Sequence, residues 1–227
     1  MRALLAIDEG LLSPGVAALR RSLIESGLDV AMLGAEGPGE AVARRRPESM
    51  IAVGGDTRNP VFELDGSPTD CVHIALGSDL VGDIDVVIAG VGVQGTDTLV
   101  LDAAREAAMM GRQGLALAID ISADTDFSWC GLVVAELAAW VIASPPPVRC
   151  VLAISVPAQL TGRGIQLLST DKEASAAAGH IAARLISIDP TAELSGERLS
   201  AWAEKTVEAI NPRLGVTGGI CLAGCCG

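Results

Sequence analysis

Asp8 and Glu9 stand side by side directly after the run Arg2-Ala-Leu-Leu-Ala-Ile7, and Gly10 follows them. Two carboxylates held close repel each other and raise a pKa unless a cation, a basic group or water compensates. The pair is therefore a candidate cation site, and the bland alternative is an exposed polar turn before a helix. A second group with chemistry lies at the other end, where Cys221, Cys225 and Cys226 crowd into the last seven residues after Gly218-Gly219. Their C-x-x-x-C-C spacing supplies at most three thiolates, whereas a structural zinc site takes four ligands in two halves. An adjacent Cys-Cys pair is also a poor redox motif beside C-x-x-C. Three readings stay open for this tail: a disordered end with incidental cysteines, a thiol-dependent binding segment, and a Cys-rich peptide carried after a double-glycine step. A flexible stretch of small residues suits threading into a modifying enzyme or a protease.

The other candidates read more plainly. Cys71, Cys130 and Cys150 lie singly in apolar surroundings, where a free cysteine packs as a small hydrophobe. His73 falls inside a helical stretch and His180 follows Gly179 in what reads as a surface loop, and neither has metal-ligand spacing.

These residues need elements to position them. The run to Ile7 reads as a buried first strand, followed by a helix from Pro14 to Ser26 that Gly27 closes. Val30 to Leu33 is a second strand, and Met50 to Leu64 reads as a hairpin broken at Gly54-Gly55 and Asn59-Pro60. A turn at Asp65 to Pro68 leads to a helix over Thr69 to Leu76, with Pro and an acid in its first turn. Strands over Asp85 to Ala89, Leu115 to Ile119 and Cys150 to Val156 then alternate with a helix that follows the loop Gly90 to Thr98 and runs to Met110, and with one over Phe127 to Ala143. Strands at Gly164 to Leu168 and Arg184 to Ile188 and a helix from Ser195 to Ile210 complete the pattern. Such alternation predicts an α/β fold, a Rossmann-like open parallel sheet flanked by helices. Ligands of these sheets bind outside the carboxyl ends of the strands, where Asp8 and Glu9 fall.

With 227 residues the chain can form one large domain, expected over 1–212, with a flexible Cys-rich tail over 213–227. Half the residues are apolar and only 2% are aromatic, so the core must be built from Ala, Val, Leu and Ile. A net charge of −12 argues against general nucleic-acid binding, which depends on Lys and Arg neutralising phosphates. No signal-like segment and no membrane-length apolar run is visible, which predicts a soluble cytoplasmic protein with no membrane partner.

Taken together, several motifs resemble the SurE family of metal-dependent phosphatases. Gly66-Ser-Pro-Thr-Asp-Cys-Val72 nearly repeats the family's Gly-Thr-Pro-Thr-Asp-Cys-Val, and Leu4-Leu-Ala-Ile-Asp-Glu-Gly10 with Ser13-Pro14-Gly15 is similar to its opening. Val87 to Val91, Leu152 to Pro157, Thr170-Asp171 and the strand Leu185 to Pro190 follow in the family's order. The resemblance implies removal of phosphate from nucleoside monophosphates, a divalent cation such as Mg²⁺ or Mn²⁺, and a homodimer. Carried over by position, it puts Asp8 at the catalytic and first metal position, Glu9 at the second, Glu40 at the loop ligand and Gly92 at the position of the ligand asparagine.

The departures cluster there. Glu9 replaces an aspartate, Gly92 has no side chain, and Asp102-Ala103-Ala104 stands where a Ser-Gly-Thr would start a helix beside the phosphate. Asp8, Glu9 and Glu40 still offer three oxygen ligands to a hard cation. Catalysis also needs donors aimed at the charge growing on phosphate, for which Gln94 and Thr96 are the nearby substitutes. The sequence thus predicts a catalytically impaired domain that carries the Cys-rich tail for a modifying enzyme or protease at Gly218-Gly219. The alternative is a divergent divalent-metal phosphomonoesterase that binds a nucleotide.

Overall fold

The computed structural model of the chain describes residues 1–7, 10–11, 13–35, 49–90, 98–119, 125–146, 149–157, 163–168, 180–188 and 197–215. The first half contains β1 (Arg2–Ile7), α1 (Pro14–Glu25), β2 (Asp29–Ala35), β3 (Met50–Gly54), β4 (Val61–Leu64), α2 (Pro68–Gly77), β5 (Val86–Ala89) and α3 (Thr98–Met109). The second half adds β6 (Gln113–Ile119), α4 (Phe127–Ala143), β7 (Cys150–Val156), β8 (Arg163–Leu168), β9 (His180–Ser187) and α5 (Glu197–Ile210). The nine strands among the described residues form one sheet in the order β3-β4-β2-β1-β5-β6-β7-β9-β8. The six from β4 to β7 run parallel, while β3 is antiparallel to β4 and β9 to β7. The predicted open α/β sheet is therefore present, with antiparallel strands added towards both edges.

Alternation along the strands sorts the core. In β1, Ala3, Leu5 and Ile7 pack with α1, α4 and α5, while Leu4 and Ala6 face α2 and α3. A strand buried on both faces must be apolar throughout, which is why Ala3 to Ile7 carries no polar residue. Helix starts follow from local chemistry: the Ser13 hydroxyl accepts the Val16 N–H at 3.3 Å with Pro14 behind it, and Asp126 accepts the N–H groups of Ser128 and Trp129 at 3.0 and 3.2 Å. At the amino ends of the strands, Arg2 and Arg20 donate to the carbonyls of Arg58 and Asn59 at 2.8 and 2.7 Å, holding the β3–β4 connection. Asp56 caps the same connection by accepting the Arg58 and Asn59 N–H groups, which hold its carboxyl below the usual range.

Two expectations change. His180 is the first residue of β9 and not part of a loop. The strand starts four residues ahead of Arg184 because β7 and β8 flank it on both sides and pair with Ala182 and Ala183. Small residues without alternation hide such a strand in the sequence. The strand β2 is also longer than Val30 to Leu33, since it is hydrogen-bonded by β1 on one side and β4 on the other.

Beyond α5, a turn runs to Gly215, with the Leu214 N–H on the Ile210 carbonyl at 3.1 Å and the Leu214 side chain against the core. Among the described residues, no helix is long and apolar enough to cross a membrane.

Candidate active-site rim

The chain lays β2 on one side of β1 and later β5 on the other, so the strand order reverses at β1. In open α/β sheets, ligands bind in the crevice that such a reversal leaves outside the carboxyl ends. Here Ala6 of β1 is level with Ala89 of β5, and Ile7 with Gly34 of β2. The Gly90 N–H donates to the Ala6 carbonyl at 2.8 Å, tying the exit of β5 to the exit of β1. Glycine is required at that point: its φ is +81°, and a Cβ would come within 2.5 Å of Val100 Cγ2 and 3.1 Å of the Leu117 carbonyl. On the other flank, Leu11 is buried against Gly34, whose lack of a side chain makes the space, and the Ser13 N–H donates to the Gly10 carbonyl at 3.2 Å.

Asp8 and Glu9 fall in sequence between these fixed flanks, Ile7 and Gly10, but lie outside the described residues. So do Glu40, Gly92, Gln94 and Thr96, and so do Gly218, Gly219, Cys221, Cys225 and Cys226 of the tail. The structure thus brings together the ends of β1, β2 and β5 that lead into the candidate ligand positions. Among the described residues, no group of three or more His, Cys, Asp or Glu side chains could hold a metal ion. The sequence candidates for this rim, Asp8, Glu9 and Glu40, are all carboxylates, a donor type that suits a hard divalent cation.

The motif from Gly66 to Val72 has a structural explanation. Ser67 accepts the Asp70 N–H at 3.2 Å, and the Asp70 carboxylate takes the Ser67 N–H and hydroxyl at 2.9 and 2.7 Å. This reciprocal cap, with Pro68 behind it, sets the start of α2 just beyond the end of β4. Asp70 is buried in that role, and Cys71 and Val72 pack into the core. Burial, helped by the neighbouring Asp70, pushes the Cys71 thiol up to about 12. Burial likewise raises Cys130 to about 11, with Asp126 adding to it, and Cys150 to about 12. All three are neutral packing groups, as the sequence suggested.

Asp102 is the fifth residue of α3 and lies on the side of the helix away from the sheet. The buried side of that helix is Val100, Ala103, Ala104 and Ala107, whereas the Asp102 side chain is 55% exposed and pairs with Arg105 at 3.0 Å. One interaction had no sequence signal: His73 Nδ1 lies 2.8 Å from Glu106 Oε1, joining α2 to α3. The Glu106 side chain is 4% exposed and stands eight residues into α3, about 12 Å of helix from its first turn. That distance makes the pair a helix-to-helix tie and not part of the rim.

Comparison with known proteins adds the family. The family described as Survival protein SurE matches residues 3–177. A protein named 5'-nucleotidase SurE from Idiomarina loihiensis is 29% identical over 167 residues, which cover 69% of this chain and 65% of that one. One of the same name from Nitratidesulfovibrio vulgaris is 30% identical over 172 residues, covering 70% of this chain and 67% of that one. The chain thus spans about two thirds of the length of these curated relatives. The crystal structure of a SurE protein from Aquifex aeolicus superposes with a TM-score of 0.67 at 21% identity, covering 84% of this chain and 95% of that one, a likeness of fold.

Proposed function

This chain belongs to the SurE family, and on that premise we propose that it is a divergent divalent-metal-dependent phosphomonoesterase acting on nucleoside monophosphates. The observation that carries the reading is the family match over residues 3–177, which takes in the strand-order reversal at β1 and the rim outside it. Asp102, a carboxylate that the sequence sets near the phosphate approach, is paired with Arg105 on the exposed side of α3. The relatives' printed activity, 5'-nucleotidase, supports the same substrate class.

In this reading Asp8, Glu9 and Glu40 hold a Mg²⁺ or Mn²⁺ ion. When bound, the ion would lower the pKa of water and offset charge on the phosphate oxygens. The chain's own contribution is positional. The Gly90 to Ala6 hydrogen bond sets the β5 exit against the β1 exit, and the capped first turns of α1 and α2 fix the chain on either side of the rim. Gly92 brings only a backbone N–H to the place of an asparagine, so weak metal affinity is part of the proposal.

The test is hydrolysis of a nucleoside monophosphate by the purified protein with Mn²⁺ or Mg²⁺. The expected outcome is metal-dependent release of phosphate that falls at least a hundredfold in Asp8→Asn. Absence of turnover with either metal across the nucleoside monophosphates overturns it. A second reading, a carrier domain for the segment beyond residue 212, is favoured by the coincidence of Gly218-Gly219 with three cysteines. Mass spectrometry of the protein from its native host tests that reading, since a carrier would show a cleaved or modified tail.

A further inference from the structure

The opposite end of the sheet holds a cavity that the proposed reaction does not use. It has a volume of about 280 Å³ and opens between the turn that follows α3 and the start of β7, at the amino ends of β6 and β7. Arg112 and Gln113 line it from one side, Arg149 and Cys150 from the other, and Ala108 and Gly111 leave the space between them. None of the described lining residues is acidic, in a chain whose net charge is −12.

The two guanidinium groups are not committed elsewhere. Arg149 makes no ion pair among the described residues, and Arg112 meets only Asp83, at 3.8 Å, whose carboxylate is fully exposed. A contact that long to a solvated partner contributes little and is readily exchanged. The remaining wall adds no opposing charge, because burial keeps the Cys150 thiol protonated far above neutral pH. Gln113 adds a neutral amide residue to the same lining. Two arginines lining a common space suit phosphate, to whose oxygens guanidinium groups donate in pairs.

We propose that the cavity bounded by Arg112, Gln113 and Arg149 is an anion site that takes a phosphate group, separate from the carboxyl-end rim. The ligand is inorganic phosphate or the phosphoryl group of a small phosphorylated sugar. The volume admits either one, and the recognition chemistry is shared. Asp83 competes for Arg112 when the site is empty, so its removal strengthens binding.

The experiment is a calorimetric and NMR titration of the full chain, at constant ionic strength set with NaCl and with EDTA present to exclude metal-held phosphate at the rim. One arm uses inorganic phosphate and the other ribose 5-phosphate. Saturable binding is expected in at least one arm, with the shifted resonances at Arg112, Gln113 and Arg149. Tighter binding of ribose 5-phosphate would assign the phosphorylated sugar, and equal binding would assign inorganic phosphate. Arg149→Gln and Arg112→Gln should each weaken binding about tenfold, the scale of one charge-assisted hydrogen-bonded contact. Asp83→Asn should tighten it about twofold, and Asp8→Asn should leave it unchanged. Both arginines are at the surface, so circular dichroism should show these variants folded as the parent. No saturation in either arm, or affinity unaltered in both arginine variants, overturns the site. Neither result bears on phosphatase activity at the rim.

Discussion

On the side covered by α1, α4 and α5 the sheet offers Leu5, Ile7, Ile88, Leu115, Leu117 and Ile119 beside Ala3, whereas on the side covered by α2 and α3 Leu4, Leu33, Val87 and Val151 stand among Ala6, Ala31, Ala89, Ala116 and Ala153. Long aliphatic side chains fill the first space and give it most of its buried apolar volume. On the second side the helices bring alanines of their own, and α3 comes so near to β6 that a Cβ on Gly114 would press into the carbonyl of Ala104. The bulky side supplies stability through area removed from water. The close side supplies position, because two backbones in near contact have no side chain left to yield. The first turns of α2 and α3 follow the ends of β4 and β5 as that of α1 follows the end of β1, so both faces border the rim and the close one holds its helix there with less freedom.

Substitutions can break that contrast. Leu137→Ala in α4 removes a fully buried side chain from the bulky side and should cost about 3 kcal/mol in urea unfolding, with the rim reaction unchanged at temperatures where the protein is folded. Gly114→Ala on the close side should cost about 2 kcal/mol, because α3 must move away from β6. It should also raise KM or lower kcat severalfold. Equal kinetic effects of the two variants would erase the distinction. Asp70→Ala removes the reciprocal cap of α2 and should cost about 1.5 kcal/mol, with faster amide exchange confined to the first turn of that helix.

The smallest expected effect concerns pH. Folding raises the thiols of Cys71, Cys130 and Cys150 to about 12, 11 and 12, so the folded chain keeps protons that the unfolded chain sheds above pH 9. Stability is whole below pH 9 and falls as pH rises from there towards 11 to 12. Each thiol should subtract about 1 kcal/mol at pH 10, and Cys71→Ala on the close side should restore as much as Cys130→Ala on the bulky side. A pH profile that ignores both would mean these thiols are less shielded than their burial implies.

Elements with sharp local punctuation were legible in advance. The bounds of α4, Phe127–Ala143, follow from Asp126 before it and the prolines after Ser144. The hairpin of β3 and β4 follows from the glycines and Asn59-Pro60 between them. The start of β9 was not legible, since His-Ile-Ala-Ala becomes a strand only because neighbours on both sides pair with it. At the rim, the acids after β1 and the glycine after β5 could be read from sequence, whereas the outward turn of Asp102 depends on which side of α3 the sheet occupies. The tie between His73 and Glu106, and the cavity that Arg112 and Arg149 both line, join segments more than thirty residues apart and leave no local trace.

The seclusion of Cys71, Cys130 and Cys150 gives the protein a built-in seal. An alkylating reagent applied to the native chain at neutral pH finds these three withheld, so adducts located on them by peptide mapping register the moment at which the core opens.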